Sequence, residues 1–190
     1  CVFCGSSAGG NPEYAAQARR LGACLAARGL SLVFGGGKVG LMGQVAQSVM
    51  DHGGEAIGVI PRWMVQKEVA LTTVTDLRLV DTMHERKMLM ADLSDGFVAL
   101  PGGVGTLDEF FEIWTWGQLG LHQKPFGLLN VAGYFTPLLG FLDHMEAEHF
   151  IAGAHRRMVL VDGDGERLLD RMAAYEPPEG DKARWALERR

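Results

Sequence analysis

Residues 96–109 read Gly96-Phe97-Val98-Ala99-Leu100-Pro101-Gly102-Gly103-Val104-Gly105-Thr106-Leu107-Asp108-Glu109, and this stretch decides the fold. Its first five residues are an apolar run typical of a buried strand, and a helix is predicted from residue 107 to about residue 117. The glycines between them allow the backbone to come close to a ligand. Because the N–H groups of a first helical turn are unpaired and partly positive, the turn predicts a phosphate-binding site.

Strand and helix patterns alternate along the rest of the chain. Strands are predicted at residues 2–5, 31–34, 56–60, 76–80, 96–100, 125–130 and 158–161. Helices are predicted at 12–29, 41–52, 82–93, 107–117, 135–149 and 166–175, whereas 62–74 lacks a clear period. This alternation indicates an α/β fold with a doubly wound, Rossmann-like parallel sheet and helices on both faces. We predict one domain over 1–176 and a polar tail over 177–190.

Three glycine-rich turns follow predicted strands: Gly5-Ser6-Ser7, Gly35-Gly36-Gly37 and Pro101-Gly102-Gly103. In doubly wound sheets ligands bind beyond the carboxyl ends of the strands. We therefore expect these turns to line the ligand site.

The composition excludes several classes of protein. Eighteen basic and 23 acidic residues among 190 give a net charge of −5, which argues against binding to nucleic acid or to an anionic membrane. No apolar run is long enough to span a membrane, and no secretory leader pattern is visible.

Three cysteines indicate a reducing compartment, so a cytoplasmic location is predicted. Cys1 and Cys4 have CxxC spacing, but on a strand they face opposite sides and are predicted to be inert.

Gly35-Gly36-Gly37-Lys38-Val39-Gly40 matches GxGxxG, and Glu55 lies twenty residues beyond Gly35. Together they imitate a dinucleotide fingerprint. Glu55 begins the following strand, however, whereas the ribose-binding acid should end it, so NAD binding is disfavoured. Backbone donors of Gly36 and Gly37 remain candidates to line a phosphate or sugar pocket.

A second polar cluster occupies residues 81–87, just before and within a predicted helix. Thr82 and Glu85 form a Thr-x-x-Glu capping box, so capping is the preferred interpretation of Glu85. Arg86 and Lys87 are cations in the first turns of a helix, where they oppose the macrodipole. Nothing in the local sequence explains them, which predicts an anionic ligand or partner.

Glu109 has two interpretations. Thr106 and Glu109 also have capping-box spacing, and spacing alone favours capping. Thr106 could cap the helix, bind phosphate, or do both. The histidines show no metal-ligand spacing, and we predict neither a metal nor another cofactor.

The chain resembles the Lonely Guy (LOG) family. The resemblance lies in PGGxGTxxE at 101–109, in Met83-His84-Glu85-Arg86-Lys87 as MHxRK, and in residues 2–7 and 114–120; it extends over most of 1–165. LOG proteins are phosphoribohydrolases that cleave cytokinin riboside 5′-monophosphates, and often AMP, into free base and ribose 5-phosphate. Many were once labelled lysine decarboxylases, but no lysine context for pyridoxal phosphate occurs here.

The resemblance also implies a homodimer and assigns roles to residues. It makes Arg86 and Glu109 catalytic. It makes the following residues substrate-binding, with Glu68 and Thr115 placed by spacing alone: Glu68, Arg86, Lys87, Gly102, Gly103, Val104, Gly105, Thr106, Leu107, Asp108, Glu109 and Thr115. The alternative is a nucleotide or molybdenum-cofactor carrier on the same fold, which would bind phosphate at the same loop but lack the Arg–Glu pair.

Overall fold

The computed structural model describes residues 1–65 and 70–178, and within them seven strands form one parallel sheet. The strands are β1 Val2–Phe3, β2 Leu32–Phe34, β3 Ala56–Pro61, β4 Asp76–Val80, β5 Phe97–Ala99, β6 Phe126–Leu129 and β7 Val159–Asp162. The helices are α1 Pro12–Ala27, α2 Gly40–Asp51, α3 Arg62–Val65, α4 Met83–Asp92, α5 Val104–Gln118, α6 Thr136–Ala147, α7 Gly153–Arg157 and α8 Gly165–Ala173.

The order of the strands explains where a ligand can bind. The sheet runs β4-β3-β2-β1-β5-β6-β7, so the chain winds outward from β1 to one side and then resumes at β5 on the other side. Val2 of β1 pairs with Phe34 of β2 on one flank and with Val98 of β5 on the other. The crevice beyond the carboxyl ends of β1 and β5 is therefore the topological switch point of a doubly wound sheet. The predicted Rossmann-like fold is confirmed.

Two apolar clusters fill the two faces of the sheet. One joins the sheet to α1, α2 and α8, and the other joins it to α4, α5 and α6. Cys4 belongs to the first cluster, whereas Cys1 packs against the second, so the two thiols face opposite sides as predicted. Burial raises the pKa of Cys4, which keeps its thiol protonated and unreactive.

The structure departs from the predicted elements mainly in short segments. The helices α3 and α7 and a 3-10 turn over Val131–Gly133 are absent from the prediction, because segments this short show no periodicity. Helix α5 begins at Val104 rather than at residue 107, so part of the glycine turn belongs to the helix. The polar tail falls largely outside the described residues. No helix in the described part of the chain is long and apolar enough to cross a bilayer.

Candidate active site

Two glycine turns meet at the switch point between β1 and β5. The N–H of Gly5 donates to the carbonyl of Pro101 at 3.0 Å, and the Gly5 carbonyl accepts from the N–H of Leu41, at the start of α2, at 3.0 Å. A Cβ on Gly102 would lie 2.1 Å from Oγ1 of Thr106 and 2.8 Å from the nitrogen of Gly5. Only glycine fits at this position, and its absence of a side chain lets the two turns touch.

The N-terminus of α5 opens onto this crevice. Gly103 is the N-cap residue, and no side chain caps the helix. Val104 is 84% exposed, and a Cβ built at Gly103 or Gly105 meets nothing within 4 Å. The N–H groups of the first turn thus border open space, with the positive end of the helix dipole behind them. This arrangement suits a phosphate group.

The capping interpretation of Thr106 and Glu109 is wrong. Because α5 begins at Val104, Thr106 is its third residue and is buried at 4% exposure, while Glu109 lies in the second turn. A capping glutamate must reach back to the N-cap backbone, but the Glu109 carboxylate is occupied elsewhere. It accepts a hydrogen bond from Arg86.

Arg86 is buried and held at three points by the fold. Its Nε donates to the Val59 carbonyl at 3.0 Å, its Nη2 to the Gly35 carbonyl at 3.2 Å, and its Nη1 to Oε1 of Glu109 at 3.1 Å. A Cβ at Gly35 would lie 1.9 Å from Nη2, so this glycine makes room for the guanidinium. No residue close to Arg86 in sequence supplies these acceptors, as expected; they come from Val59 in β3, from Gly35 just after β2, and from Glu109 on α5.

The carboxylate of Glu109 sits in a strongly desolvated position. Its side chain is 12% exposed and that of Arg86 is 9% exposed. Burial raises the pKa of Glu109, and this effect outweighs the opposing charge of Arg86. A carboxylate whose pKa is raised is a stronger base than an ordinary glutamate, which favours a role as general base.

Lys87 is explained by acidic side chains on α5. Its Nζ lies 3.0 Å from Oε2 of Glu112 and 3.2 Å from Oδ2 of Asp108. Burial opposes the charged form of Lys87, but its hydrogen bonds to Glu112 and Asp108 outweigh burial and hold its pKa above the ordinary value. The anionic partner that the sequence predicts for this cation lies within the protein. A substrate-binding role for Lys87 stays a prediction.

The remaining motifs have structural explanations. The predicted capping box of α4 is confirmed, because the N–H of Glu85 donates to Oγ1 of Thr82 at 3.1 Å and the N–H of Thr82 donates to Oε2 of Glu85 at 3.2 Å. Glu55 immediately precedes β3 and accepts a hydrogen bond from the hydroxyl of Ser31. It therefore lies at the amino-terminal ends of the strands, whereas the switch point lies beyond their carboxyl ends. The dinucleotide interpretation therefore fails on geometry, as expected.

The other residues assigned by resemblance are placed less directly. Leu107 is half-buried in α5 and Asp108 is exposed, while Thr115 is exposed about two turns beyond Glu109. Glu68 lies outside the described residues. Among the residues that the structure describes, no group of three or more His, Cys, Asp or Glu side chains could hold a metal ion.

Sequence reasoning missed three groups that shape the site. The carbonyl of Val59 carries no sequence signal at all. Gly35 is visible in the Gly35-Gly36-Gly37 run, but its part in holding Arg86 emerges only from tertiary contact. The hydroxyl of Tyr134 donates to the Gly102 carbonyl at 2.6 Å from a loop thirty-two residues further along the chain.

Known proteins resemble this chain in sequence and in fold. The family model described as "Possible lysine decarboxylase" matches residues 42–172. The chain is 49% identical over 177 residues to "Probable cytokinin riboside 5′-monophosphate phosphoribohydrolase LOGL3" of Oryza sativa subsp. japonica, covering 93% of this chain and 84% of that protein. It is 44% identical over 191 residues to cytokinin riboside 5′-monophosphate phosphoribohydrolase LOG1 of Arabidopsis thaliana, covering 99% of this chain and 90% of that protein.

A solved structure shares the architecture. The molybdenum cofactor binding protein of Rippkaea orientalis superposes with a TM-score of 0.68 over 91% of this chain and 94% of that chain. The sequence identity is 22%, so this likeness shows the fold alone.

Proposed function

The chain belongs to the LOG family, and from this we propose that it hydrolyses the N-glycosidic bond of cytokinin riboside 5′-monophosphates, and of AMP, to free base and ribose 5-phosphate. The substrate class comes from the names of the relatives. The geometry of the switch point supports the same chemistry independently.

One observation carries the proposal. Glu109 stands on α5, the helix whose open N-terminus suits a phosphate, and its carboxylate pairs with the buried Arg86 of α4 at 3.1 Å. Glu109 follows Val104 by five residues, which is roughly 7 Å along the helix axis. That separation is comparable to the reach from a 5′-phosphate to the anomeric carbon of the same nucleotide.

The reaction follows from this placement. As the bond between C1′ and the base nitrogen breaks, the sugar acquires oxocarbenium character, which a nearby carboxylate stabilises. A water molecule adds its oxygen to C1′ and gives a proton to Glu109, while the base departs with the electron pair of the broken bond. The base takes up a proton from solvent, and Glu109 releases its proton to solvent, which restores the carboxylate. Arg86 keeps the carboxylate oriented and adds a positive charge near the departing base. Phosphate bound at α5 turns remote binding energy into orientation of the sugar.

A single carboxylate is sufficient in this mechanism. Glycosidases that expel a sugar alkoxide use a second carboxyl group as an acid. A purine is a better leaving group than an alkoxide, so the demand for an acid is smaller. Asp108 is an unsuitable second acid because its carboxylate is exposed and paired with Lys87.

The carrier alternative receives less support. A likeness at 22% identity to a molybdenum cofactor binding protein says nothing about cargo. The buried Arg86–Glu109 pair has no evident use in a carrier, whereas a hydrolase needs it.

We also propose a homodimer, a cytoplasmic location, and one catalytic domain over 1–176 followed by the tail. Exposed Met83 and Met88 on α4 and Leu119 at the end of α5 supply apolar surface for a second copy. The cysteines are free, which fits a reducing compartment.

The decisive experiment is incubation of the purified protein with AMP and, separately, with a cytokinin riboside 5′-monophosphate, followed by chromatography for the free base. We expect free base and ribose 5-phosphate in equal amounts. Intact nucleotide after prolonged incubation with folded protein would refute the hydrolase proposal.

A further inference from the structure

We propose that Tyr134 is a positioning residue for the phosphate site, acting through the peptide between Gly102 and Gly103. The inference rests on the proposed function, because it concerns how the site of that reaction is held. Tyr134 precedes α6, on the loop after β6, and is 40% exposed. Its hydroxyl donates to the Gly102 carbonyl at 2.6 Å.

The hydrogen bond fixes the direction of a backbone donor. In a planar trans peptide the C=O and N–H groups point in opposite directions. Holding the Gly102 carbonyl toward Tyr134 therefore turns the N–H of Gly103 away from Tyr134. The next peptide is fixed too, because the Gly103 carbonyl accepts from the N–H of Leu107 at 3.2 Å. Two consecutive peptides at the mouth of α5 thus have set orientations.

Glycine makes this restraint necessary. Gly103 has no side chain, and a Cβ at this position would meet nothing within 4 Å, so local packing does not hold the peptide. A glycine pair samples more backbone conformations than any other dipeptide. Without an external partner, the donor at Gly103 would be free to rotate away from the ligand.

The loop that carries Tyr134 is built to present it. Ala132 and Gly133 both adopt left-handed backbone conformations, with φ of 49° and 74°. For alanine this conformation is strained, and such strain persists only where surrounding contacts enforce it. The N–H of Phe135 donates to Oδ1 of Asn130 at 2.7 Å and closes the loop.

Aromatic contacts hold the ring itself. Tyr134 packs edge-to-face on Tyr14 of α1, with ring centroids 5.5 Å apart, and on Phe135, at 5.0 Å. Tyr14 supplies a matched control, because within residues 1–65 and 70–178 its hydroxyl makes no hydrogen bond, whereas that of Tyr134 does.

The test compares Tyr134→Phe with Tyr14→Phe. Calorimetry measures the binding of ribose 5-phosphate, and competition measures the binding of adenosine, which lacks the phosphate. Loss of one hydrogen bond is expected to raise the Kd of ribose 5-phosphate about 3- to 10-fold in Tyr134→Phe. We expect adenosine binding and the melting temperature to stay unchanged, and Tyr14→Phe to match the wild type in every measurement.

A merely structural role would weaken both ligands together or lower the melting temperature, and either result overturns the inference. So does an unchanged Kd for ribose 5-phosphate, or a wild type that does not bind it. Release of base from AMP by the wild type is scored separately. A protein that binds ribose 5-phosphate through Tyr134 but releases no base would refute the hydrolase proposal and leave the positioning role supported.

Discussion

Replacing Glu109 by glutamine separates catalysis from stability at the centre of the site. The substitution preserves the size of the side chain and its capacity to accept a hydrogen bond from Arg86, but removes the negative charge. If Glu109 is the catalytic carboxylate, loss of this positioned base reduces the rate of AMP cleavage at least ~100-fold.

The effect on stability should be small for reasons visible in the structure. Because α5 has no capping side chain and Glu109 lies in its second turn, no helix cap is lost. Burial raises the pKa of Glu109 despite the nearby Arg86, so ionisation of this side chain is less favourable in the folded protein than in water and its replacement by neutral glutamine costs less. Exchanging a charged hydrogen bond for a neutral one changes the free energy of unfolding by about 1 kcal/mol. For a chain of this size that corresponds to a change in melting temperature of about 2–4 °C.

The assay follows free adenine by chromatography, and calorimetry gives the melting temperature of each variant. The control is Glu148→Gln, the same substitution at an exposed position at the end of α6, and this variant should match the wild type in both measurements. A Glu109→Gln protein that turns over AMP at close to the wild-type rate would refute the mechanism. A collapse in melting temperature would instead show that the carboxylate is mainly structural.

The raised pKa of Glu109 also sets the sign of the pH dependence. Hydrolysis requires the ionised carboxylate, so kcat/KM should fall as the pH drops through this pKa, at a higher pH than for an ordinary glutamate. The pH dependence of stability runs in the opposite direction to that of activity. The contribution of Glu109 is fully present below the ordinary glutamate pKa and is lost as the pH rises through the raised one. If kcat/KM instead falls only as the pH drops through the ordinary pKa of a glutamate, this assignment is contradicted.

Three further substitutions or substrates test the rest of the site. If the N-terminus of α5 binds the phosphate, as we propose, AMP should be a far better substrate than adenosine; equal kcat/KM values would exclude that role. Arg86→Ala should abolish activity and lower the free energy of unfolding by about 3–5 kcal/mol, since it leaves the buried Glu109 carboxylate without its cationic partner. A melting temperature equal to that of the wild type would show that the buried pair is unimportant for stability. Gly35→Ala should lose activity and lower the free energy of unfolding by about 1–3 kcal/mol, because the new methyl group displaces the guanidinium of Arg86. Gly140→Ala on the exposed face of α6 is the control, and equal behaviour of the two variants would disprove the steric argument.

The sequence predicted the elements that depend on local patterns. Asn11 caps α1 with proline at its first position, and Thr82 and Glu85 form the capping box of α4, both as expected from spacing. Apolar strands alternating with helices predicted the parallel sheet. These features could be predicted because caps and buried strands are governed by residues close together in the chain.

Local patterns misled at Glu109, and at Lys87 they predicted an anionic partner without identifying it. The spacing of Thr106 and Glu109 is that of a capping box, yet the helix starts three residues earlier than predicted and the carboxylate turns to Arg86, twenty-three positions away in sequence. The charge of Lys87 is satisfied by Asp108 and Glu112 on another helix. Spacing cannot reveal contacts of this range.

By itself, the sequence determined the doubly wound fold and the family, because short-range patterns and a specific motif encode them, and it predicted a phosphate site at the turn of residues 101–106. Only the tertiary structure decided that Arg86 rests on the carbonyls of Gly35 and Val59, that burial sets the pKa of Glu109, and that Tyr134 holds the Gly102 peptide. The physical reason is that desolvation and long-range hydrogen bonds exist only after distant strands and loops have come together at the switch point of the sheet.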